Sequence, residues 1–160
     1  MKLGVEVLLN ESVSGYDGKV VQTKSGRTLL ARNLVWTAGV TGQFPKGINK
    51  ESVVKGNRLK TNRYLQVEGH ENIYAIGDIA ALISEDTPKG HPQVAQAAIQ
   101  QGKYLAQLLT DLMNDIPSKP FEYKDKGSLA TVGKRRAVAD LGKLKFGGYF
   151  VWLLWSVVHL

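Results

Sequence analysis

Residues 92–113 form the longest regular pattern of this chain, with apolar and polar side chains recurring at the spacing of an α-helix. Pro92 suits the first turn, because its missing N–H would have no partner within the helix. An apolar strand predicted at residues 73–76 precedes the helix and ends in Gly77 and Asp78. One side of the helix is apolar and is expected to face a core: Val94, Ala98, Leu105, Leu108, Leu109 and Leu112. A strand followed by such a helix favours an α/β fold.

Shorter runs predict additional strands. Turn pairs at residues 17–18 and 25–26 separate three runs rich in Val, Thr and Leu, which predict a meander. Alternating or apolar runs predict further strands at residues 3–9, 34–36, 121–123 and 128–132. The turn-rich stretch 43–57 is expected to be a crossover between domains. The chain is therefore predicted to be a mixed α/β protein.

The chain is basic, with 21 Lys and Arg against 14 Asp and Glu and a formal net charge of +7. This charge favours contact with an anionic surface, either nucleic acid or phospholipid. Lys134, Arg135 and Arg136 are the densest basic run, but aromatic residues are not interleaved with it as a stacking platform for nucleic acid requires. We therefore expect no nucleic-acid partner.

The chain has no cysteine, which excludes disulfides, thiolate metal sites and a cysteine nucleophile. His70, His91 and His159 lie far apart in the sequence and without zinc-type spacing to carboxylates. No metal site is predicted, and a reducing compartment fits best.

Two features of the strand and helix could bind a ligand. Asp78 would lie at the C-terminal edge of a sheet, where α/β folds commonly bind ligands, and its carboxylate suits a sugar or ribityl hydroxyl. The alternative is that Asp78 only stabilises a turn. The helix also carries an amide-rich side opposite the leucines, which suits a neutral carbonyl ring such as a flavin or quinone, or is ordinary surface: Gln93, Gln96, Gln100, Lys103 and Gln107.

Four segments together resemble a known family. Residues 72–78 (NIYAIGD) resemble the second flavin motif of the two-dinucleotide-binding-domain flavoprotein reductases, and 91–102 (HPQVAQAAIQQG) resemble the helix of the type II NADH dehydrogenases within them. Residues 34–40 (LVWTAGV) resemble the return from the NADH domain to the flavin domain. Residues 127–133 (GSLATVG) together with 137–139 (AVA) resemble the C-terminal strand region. The resemblance runs over nearly the whole chain.

This resemblance implies the second half of an FAD/NAD(P)-binding flavoprotein reductase fold. Residues 1–43 would be the C-terminal remnant of the NADH-binding domain, 44–113 the second half of the FAD-binding domain, and 114–160 C-terminal strands with a membrane-surface segment. The implied activity is electron transfer from NADH through FAD to a quinone, without proton pumping. No G-x-G-x-x-G loop occurs in the sequence, so we expect a C-terminal half that is inactive alone.

The resemblance also implies residue roles. Asp78 would bind the ribityl chain of FAD, while Gln96 and Gln100 would be the catalytic residues, beside the isoalloxazine where nicotinamide and quinone meet. The residues predicted to bind the cofactor are Gly39, Gly77, Asp78, Pro92, Gln93, Val94, Ala95 and Gln96.

The C-terminal stretch from Phe146 to Leu160 is almost entirely apolar, contains two Trp and follows basic residues that include Lys143 and Lys145. A spanning helix requires roughly 20 apolar residues, so this stretch predicts a short apolar helix that attaches to a membrane surface without crossing it. The family resemblance places it at the cytoplasmic face of the cell membrane. A buried core helix and a homodimer interface are the alternatives. A non-catalytic membrane-binding fragment of such a flavoprotein is the alternative function.

Overall fold

A computed structural model describes residues 4–85, 87–142 and 144–159 of the protein. Within it the chain separates into two compact units, Met1–Val40 and Thr41–Leu160. The predicted division at residues 43 and 113 stays a prediction.

The first unit is an antiparallel meander of β1 (Val13–Tyr16), β2 (Val20–Thr23) and β3 (Thr28–Leu30). The carboxylate of Asp17 accepts hydrogen bonds from the N–H groups of Lys19 at 2.8 Å and Val20 at 2.7 Å, which fixes the first turn. These two hydrogen bonds lower the pKa of Asp17. The meander predicted from the two turn pairs is confirmed.

Two strands predicted in this unit are wrong. Residues 4–9 and 34–36 are not strands in the described structure, and Leu9 and Val35 are largely exposed. An alternating or apolar run can give a strand an apolar face, but a strand also requires a partner for its backbone groups. Within the described residues neither segment pairs with β1, β2 or β3. Leu3 lies outside the described residues.

The second unit begins with a small mixed sheet, in which β5 (Arg58–Thr61) lies between β4 (Val53–Val54) and β6 (Ala80–Leu82). The pair β4–β5 is antiparallel and the pair β5–β6 is parallel. A buried apolar cluster of Leu59, Val67, Ala75 and Ala80 packs at this sheet.

The strand predicted at residues 73–76 is wrong. Tyr74 forms only an isolated bridge with Gln66, because this segment pairs with the short return 65–67 rather than with the sheet. Gly77 and Asp78 therefore open a one-turn 3₁₀-helix, Gly77–Ile79, which leads directly into β6. The carboxylate lies before a sheet strand rather than at the end of one.

Helix α1 (Ala95–Met113) starts after Val94, so Pro92 lies before the helix and not in its first turn as predicted. Its buried residues are Ala97, Gln101 and Leu108. Leu105 packs against the cluster of Leu65, Leu82 and Phe121. The predicted apolar face is confirmed only in part, since Val94, Leu109 and Leu112 are exposed. The buried stripe also contains an amide, Gln101, which the apolar pattern did not include.

The C-terminal region is an antiparallel sheet of β7 (Ser128–Thr131), β8 (Ala137–Asp140) and β9 (Lys145–Gly148), followed by α2 (Tyr149–His159). The predicted strand at 128–132 is confirmed, whereas 121–123 is not a strand. Phe121 is buried through ring packing instead. None of the helices in the described part of the chain has the length and apolar character required to cross a membrane.

Helix α2 packs one side against this sheet. Val151 is buried with Ala137 and Ala139, and Trp152 and Trp155 pack against the same cluster. The opposite side, here named the exposed face of α2, consists of Tyr149, Phe150, Leu153, Leu154 and Val157. The expectation of an apolar helix is confirmed, but both Trp residues pack on the sheet and do not belong to its exposed face.

Candidate functional site

Side-chain amides attach the turn Gly77–Ile79 to α1 and to the loop that precedes α1. Gly77 has a φ of +71°, a left-handed conformation that favours glycine. Its N–H donates to Oε1 of Gln101 at 2.6 Å, and Nε2 of Gln93 donates to the carbonyl of Asp78 at 3.1 Å. The carboxylate of Asp78 is exposed and makes no hydrogen bond with the residues that the structure describes. It is therefore available to accept from a ligand.

A buried arginine fixes the loop before α1. Arg58, 9% exposed, donates to the carbonyls of Lys89 at 3.1 Å, Ala80 at 2.5 Å and His91 at 3.0 Å. Burial lowers the pKa of Arg58, and the charge of Asp78 opposes that shift. The guanidinium thus holds residues 89–91 against β6, immediately before the start of α1.

Backbone N–H groups in the first turn of α1 have no hydrogen-bond partner within the helix. Val94 has an extended backbone and provides no side-chain cap, and the first turn has no acidic residue. The N–H groups of Ala97 and Ala98 return to the carbonyl of Val94, but those of Ala95 and Gln96 have no partner within the helix. These donors and the positive end of the helix dipole favour a ligand that carries electron density.

Gln96 and Gln100 bind the chain itself. Nε2 of Gln96 donates to the carbonyl of Gly127 at 2.8 Å and to Oδ1 of Asp125 at 3.2 Å, while its Oε1 accepts from the N–H of Lys126 at 3.0 Å. Gln100 donates to the carbonyl of Lys124 at 2.9 Å and accepts from its N–H at 3.1 Å. We name this arrangement the glutamine clamp. It corrects the expectation of an open amide face, and the catalytic role of these glutamines stays a prediction.

A cavity of about 580 Å³ opens between the first turn of α1 and the segment held by the glutamine clamp. Gly127 allows a close backbone approach in its wall, because a Cβ there would lie 2.5 Å from the carbonyl oxygen of Asp140. The lining residues are Pro92, Val94, Gln96, Tyr123, Asp125, Lys126, Gly127, Ser128, Asp140, Leu141 and Gly142.

The structure groups most of the predicted cofactor residues. Pro92, Val94 and Gln96 line this cavity, and Ala95 is the first residue of α1. Gln93, Gly77 and Asp78 meet at the turn described above. Gly39 belongs to the other compact unit, where it is exposed with a φ of +87°, and its role stays a prediction.

An aromatic pair beside the cavity is absent from the sequence prediction. His91, 7% exposed, lies with its ring centroid 5.1 Å from that of Tyr123. Burial, and then the charge of Arg58, lower the pKa of His91, while burial raises the pKa of Tyr123. Neither His91 Nδ1 nor the Tyr123 hydroxyl has a hydrogen-bond partner among the described residues. The sequence indicated a role for His91 only through its position next to Pro92, shortly before α1.

No group of three or more His, Asp or Glu side chains in the described ranges could hold a metal ion.

Two family models match the chain. The model of the pyridine nucleotide-disulphide oxidoreductases matches residues 1–102, and that of the NDH2 C-terminal domain matches residues 126–160. The type II NADH:quinone oxidoreductase NdhA of Mycobacterium tuberculosis is 37% identical over 99% of this chain and 35% of its own length. A type II NADH:quinone oxidoreductase of Staphylococcus haemolyticus is 34% identical over 69% of this chain and 27% of its own length. The chain thus spans about a third of the length of the curated relatives it matches.

Solved structures show the same fold. NDH2 from Plasmodium falciparum in complex with NADH superposes with a TM-score of 0.78 at 23% identity, over 99% of this chain and 48% of that one. A sulfide:quinone oxidoreductase from Aquifex aeolicus superposes with a TM-score of 0.66 at 15% identity, over 93% of this chain and 39% of that one. The predicted α/β class and reductase fold are confirmed.

Proposed function

Because this chain belongs to the pyridine nucleotide-disulphide oxidoreductases and, within them, to the type II NADH:quinone oxidoreductases, we propose that it forms part of an FAD-dependent enzyme. The enzyme passes electrons from NADH to a quinone without pumping protons. The 160 residues contain no G-x-G-x-x-G loop, so they provide the ribityl and ring side of the flavin site rather than a pyrophosphate loop.

The donor and acceptor set fits this part of FAD. Asp78 offers an uncommitted carboxylate beside a left-handed glycine, which suits a ribityl hydroxyl. The free N–H groups of Ala95 and Gln96 suit electron density on the ring system. FAD held by these residues would supply the redox chemistry, which is acceptance of a hydride from NADH and two-electron reduction of the quinone.

The other residues shape and orient the site. Pro92 and Val94 give the cavity an apolar edge, and Gln93 holds the carbonyl of Asp78. Gln96 and Gln100 would lie beside the isoalloxazine where nicotinamide and quinone meet. The glutamine clamp keeps the chain at residues 124–127 in place.

One observation carries this proposal: the turn that bears Asp78 is bonded to α1 through Gln101 at 2.6 Å and to the loop before α1 through Gln93 at 3.1 Å. In the enzyme that contains this chain, Asp78→Ala should weaken FAD binding on the order of 10- to 100-fold, because a hydrogen bond to a charged group contributes roughly 1.5–3 kcal/mol. Fluorescence titration of the apoprotein with FAD measures the effect. Glu122→Ala, which also removes an exposed carboxylate, is the matched control. Unchanged FAD affinity in Asp78→Ala would contradict the assignment.

The second part of the proposal concerns the membrane. The exposed face of α2 is apolar, and the chain carries a net charge of +7, which together favour the surface of an anionic bilayer. We assign this surface to the cytoplasmic face of the cell membrane, where NADH is available. A homodimer that covers the same face is the competing occupant.

A non-catalytic membrane-binding module is the second candidate function, since the apolar packing of α2 requires none of the residues of the flavin site. Visible flavin absorbance in the purified enzyme distinguishes the two functions.

A further inference from the structure

Gln101 is an exception among the polar residues of α1. Its side chain is 1% exposed and is among the largest fully buried side chains described. A buried amide destabilises a protein unless it is hydrogen-bonded, so a residue of this kind requires a specific partner. That partner is the N–H of Gly77, which lies 24 positions earlier in the sequence and 2.6 Å from Oε1.

The backbone at Gly77 requires an external acceptor. Gly77 opens the 3₁₀-turn Gly77–Ile79, and the first N–H of a helix has no partner within it. Ile76 precedes the turn with an extended backbone and provides no side-chain cap. Oε1 of Gln101 accepts the hydrogen bond from this N–H. Gln101 belongs to the long helix α1, which packs into the core.

We propose that Gln101 is a positioning residue for the flavin site, an inference that rests on the function proposed above. By accepting the N–H of Gly77 it fixes where the turn starts, and so where the carboxylate of Asp78 is presented. Gln93 holds the same turn from the exposed side, where water can replace its amide. The buried contact has no such substitute, so its loss moves the turn.

The test compares Gln101→Met, which keeps the length of the side chain but removes the acceptor, with Gln101→Glu, which keeps an acceptor oxygen. Gln107→Met is the matched control, because Gln107 is an exposed glutamine of α1 that donates to Asp111 of the same helix. Two quantities are measured in each variant: the amide hydrogen exchange of Gly77, followed by NMR in the chain itself, and the affinity for FAD in the enzyme that contains it.

Gln101→Met should accelerate exchange at Gly77 and weaken FAD binding, each by about tenfold, which is the size expected for one lost hydrogen bond. Gln101→Glu should restore both quantities to within about threefold of the parent, and Gln107→Met should change neither. Thermal unfolding of each variant confirms that α1 remains folded.

Unchanged amide exchange of Gly77 in Gln101→Met would show that Gln101 does not accept the N–H of Gly77. Equal losses of FAD affinity in Gln101→Met and Gln101→Glu would overturn the positioning role, because the acceptor would then not matter. If Asp78→Ala weakens FAD binding while Gln101→Met does not, the positioning role fails and the proposed function stands. If neither variant changes FAD affinity, the proposed flavin site itself fails.

Discussion

In the described part of the chain, α1 and α2 depart from the usual distribution of side chains in opposite ways: one buries a polar group and the other exposes an apolar face. Helix α1 buries an amide, Gln101, in the stripe that faces the core, and leaves Leu112 exposed. Helix α2 buries Val151 against a sheet and exposes five large apolar or aromatic side chains on its other face. An exposed leucine alone is ordinary, whereas a buried polar group or a contiguous apolar patch requires an explanation.

The difference indicates two separate tasks. The polar side chains of α1 bond to the backbone of the turn that bears Asp78 and to the backbone at residues 124 and 127 beside the cavity. A ligand site requires such supporting hydrogen bonds. The exposed face of α2 has no described side chains packed over it and suits a surface outside the protein. Each prediction below changes one helix and leaves the other intact.

The largest effect is expected at α2. The combined change Phe150→Ser, Leu153→Ser and Val157→Ser should abolish flotation with anionic liposomes, because each buried apolar side chain contributes roughly 1.5–3 kcal/mol. The thermal midpoint should change little, since Val151 and both Trp residues remain packed.

Lys145→Gln is the control for charge. It should only weaken flotation, because the apolar contacts persist when the positive charge is removed. Lys143 lies outside the described residues. Flotation of the triple variant at the level of the parent would show that the exposed face of α2 is not the attachment surface.

The sequence predicted α2 as a short apolar helix but not its two faces. Periodicity cannot separate faces when nearly every residue from Tyr149 to Val157 is apolar. The separation comes from Ala137 and Ala139 of β8, whose small side chains admit Val151. That pairing is long-range and leaves no local signal.

The next effect is expected at the glutamine clamp. Gln96→Ala removes three hydrogen bonds and should lower turnover with NADH and a soluble quinone by about tenfold or more, because a single bond contributes about 1 kcal/mol. Gln100→Ala removes two bonds and should have a smaller effect. Liposome flotation should be unaffected by either change.

Steady-state kinetics for both substrates, together with thermal unfolding, measure this prediction, and Gln107→Ala is the control on the same helix. If kcat and KM of Gln96→Ala and Gln100→Ala stay at parent values, the glutamines support the fold and not the reaction.

The site was predictable where it depends on short motifs. The grouping of Gly77 and Asp78 with the residues around Pro92 follows from the segments 72–78 and 91–102. Gln101 and Arg58 were not predictable, because their function depends on backbone groups that are distant in sequence. The strand at 73–76 was predicted wrongly for another reason: its partner, the nearby return at 65–67, forms only an isolated bridge with it and no sheet.

The smallest expected effect is on the pH dependence of stability. It distinguishes the packing at the entry to α1 from the packing of α2. His91, at the entry to α1, has a lowered pKa in the folded protein, so the unfolded chain takes up the proton first. Neutral His91 makes its full contribution to the stability of the fold above about pH 6.5. That contribution is lost as the pH falls through the lower pKa of the folded state.

His91→Phe keeps a ring beside Tyr123 and should make the loss of stability between about pH 7 and pH 5 shallower. Val151→Ala in the apolar core of α2 should lower stability equally across this range. Denaturant unfolding at each pH measures both slopes. An unchanged slope in His91→Phe would contradict this account of His91.

The division of tasks between the helices is tested most directly by hydrogen–deuterium exchange of the protein with and without anionic liposomes, with Ala95–Met113 and Tyr149–His159 followed separately. Peptides from α2 should gain protection on the liposomes, while those from α1 should exchange at the same rate. Protection that appears in α1, or no change in α2, would contradict the assignment of the ligand site to one helix and the membrane surface to the other.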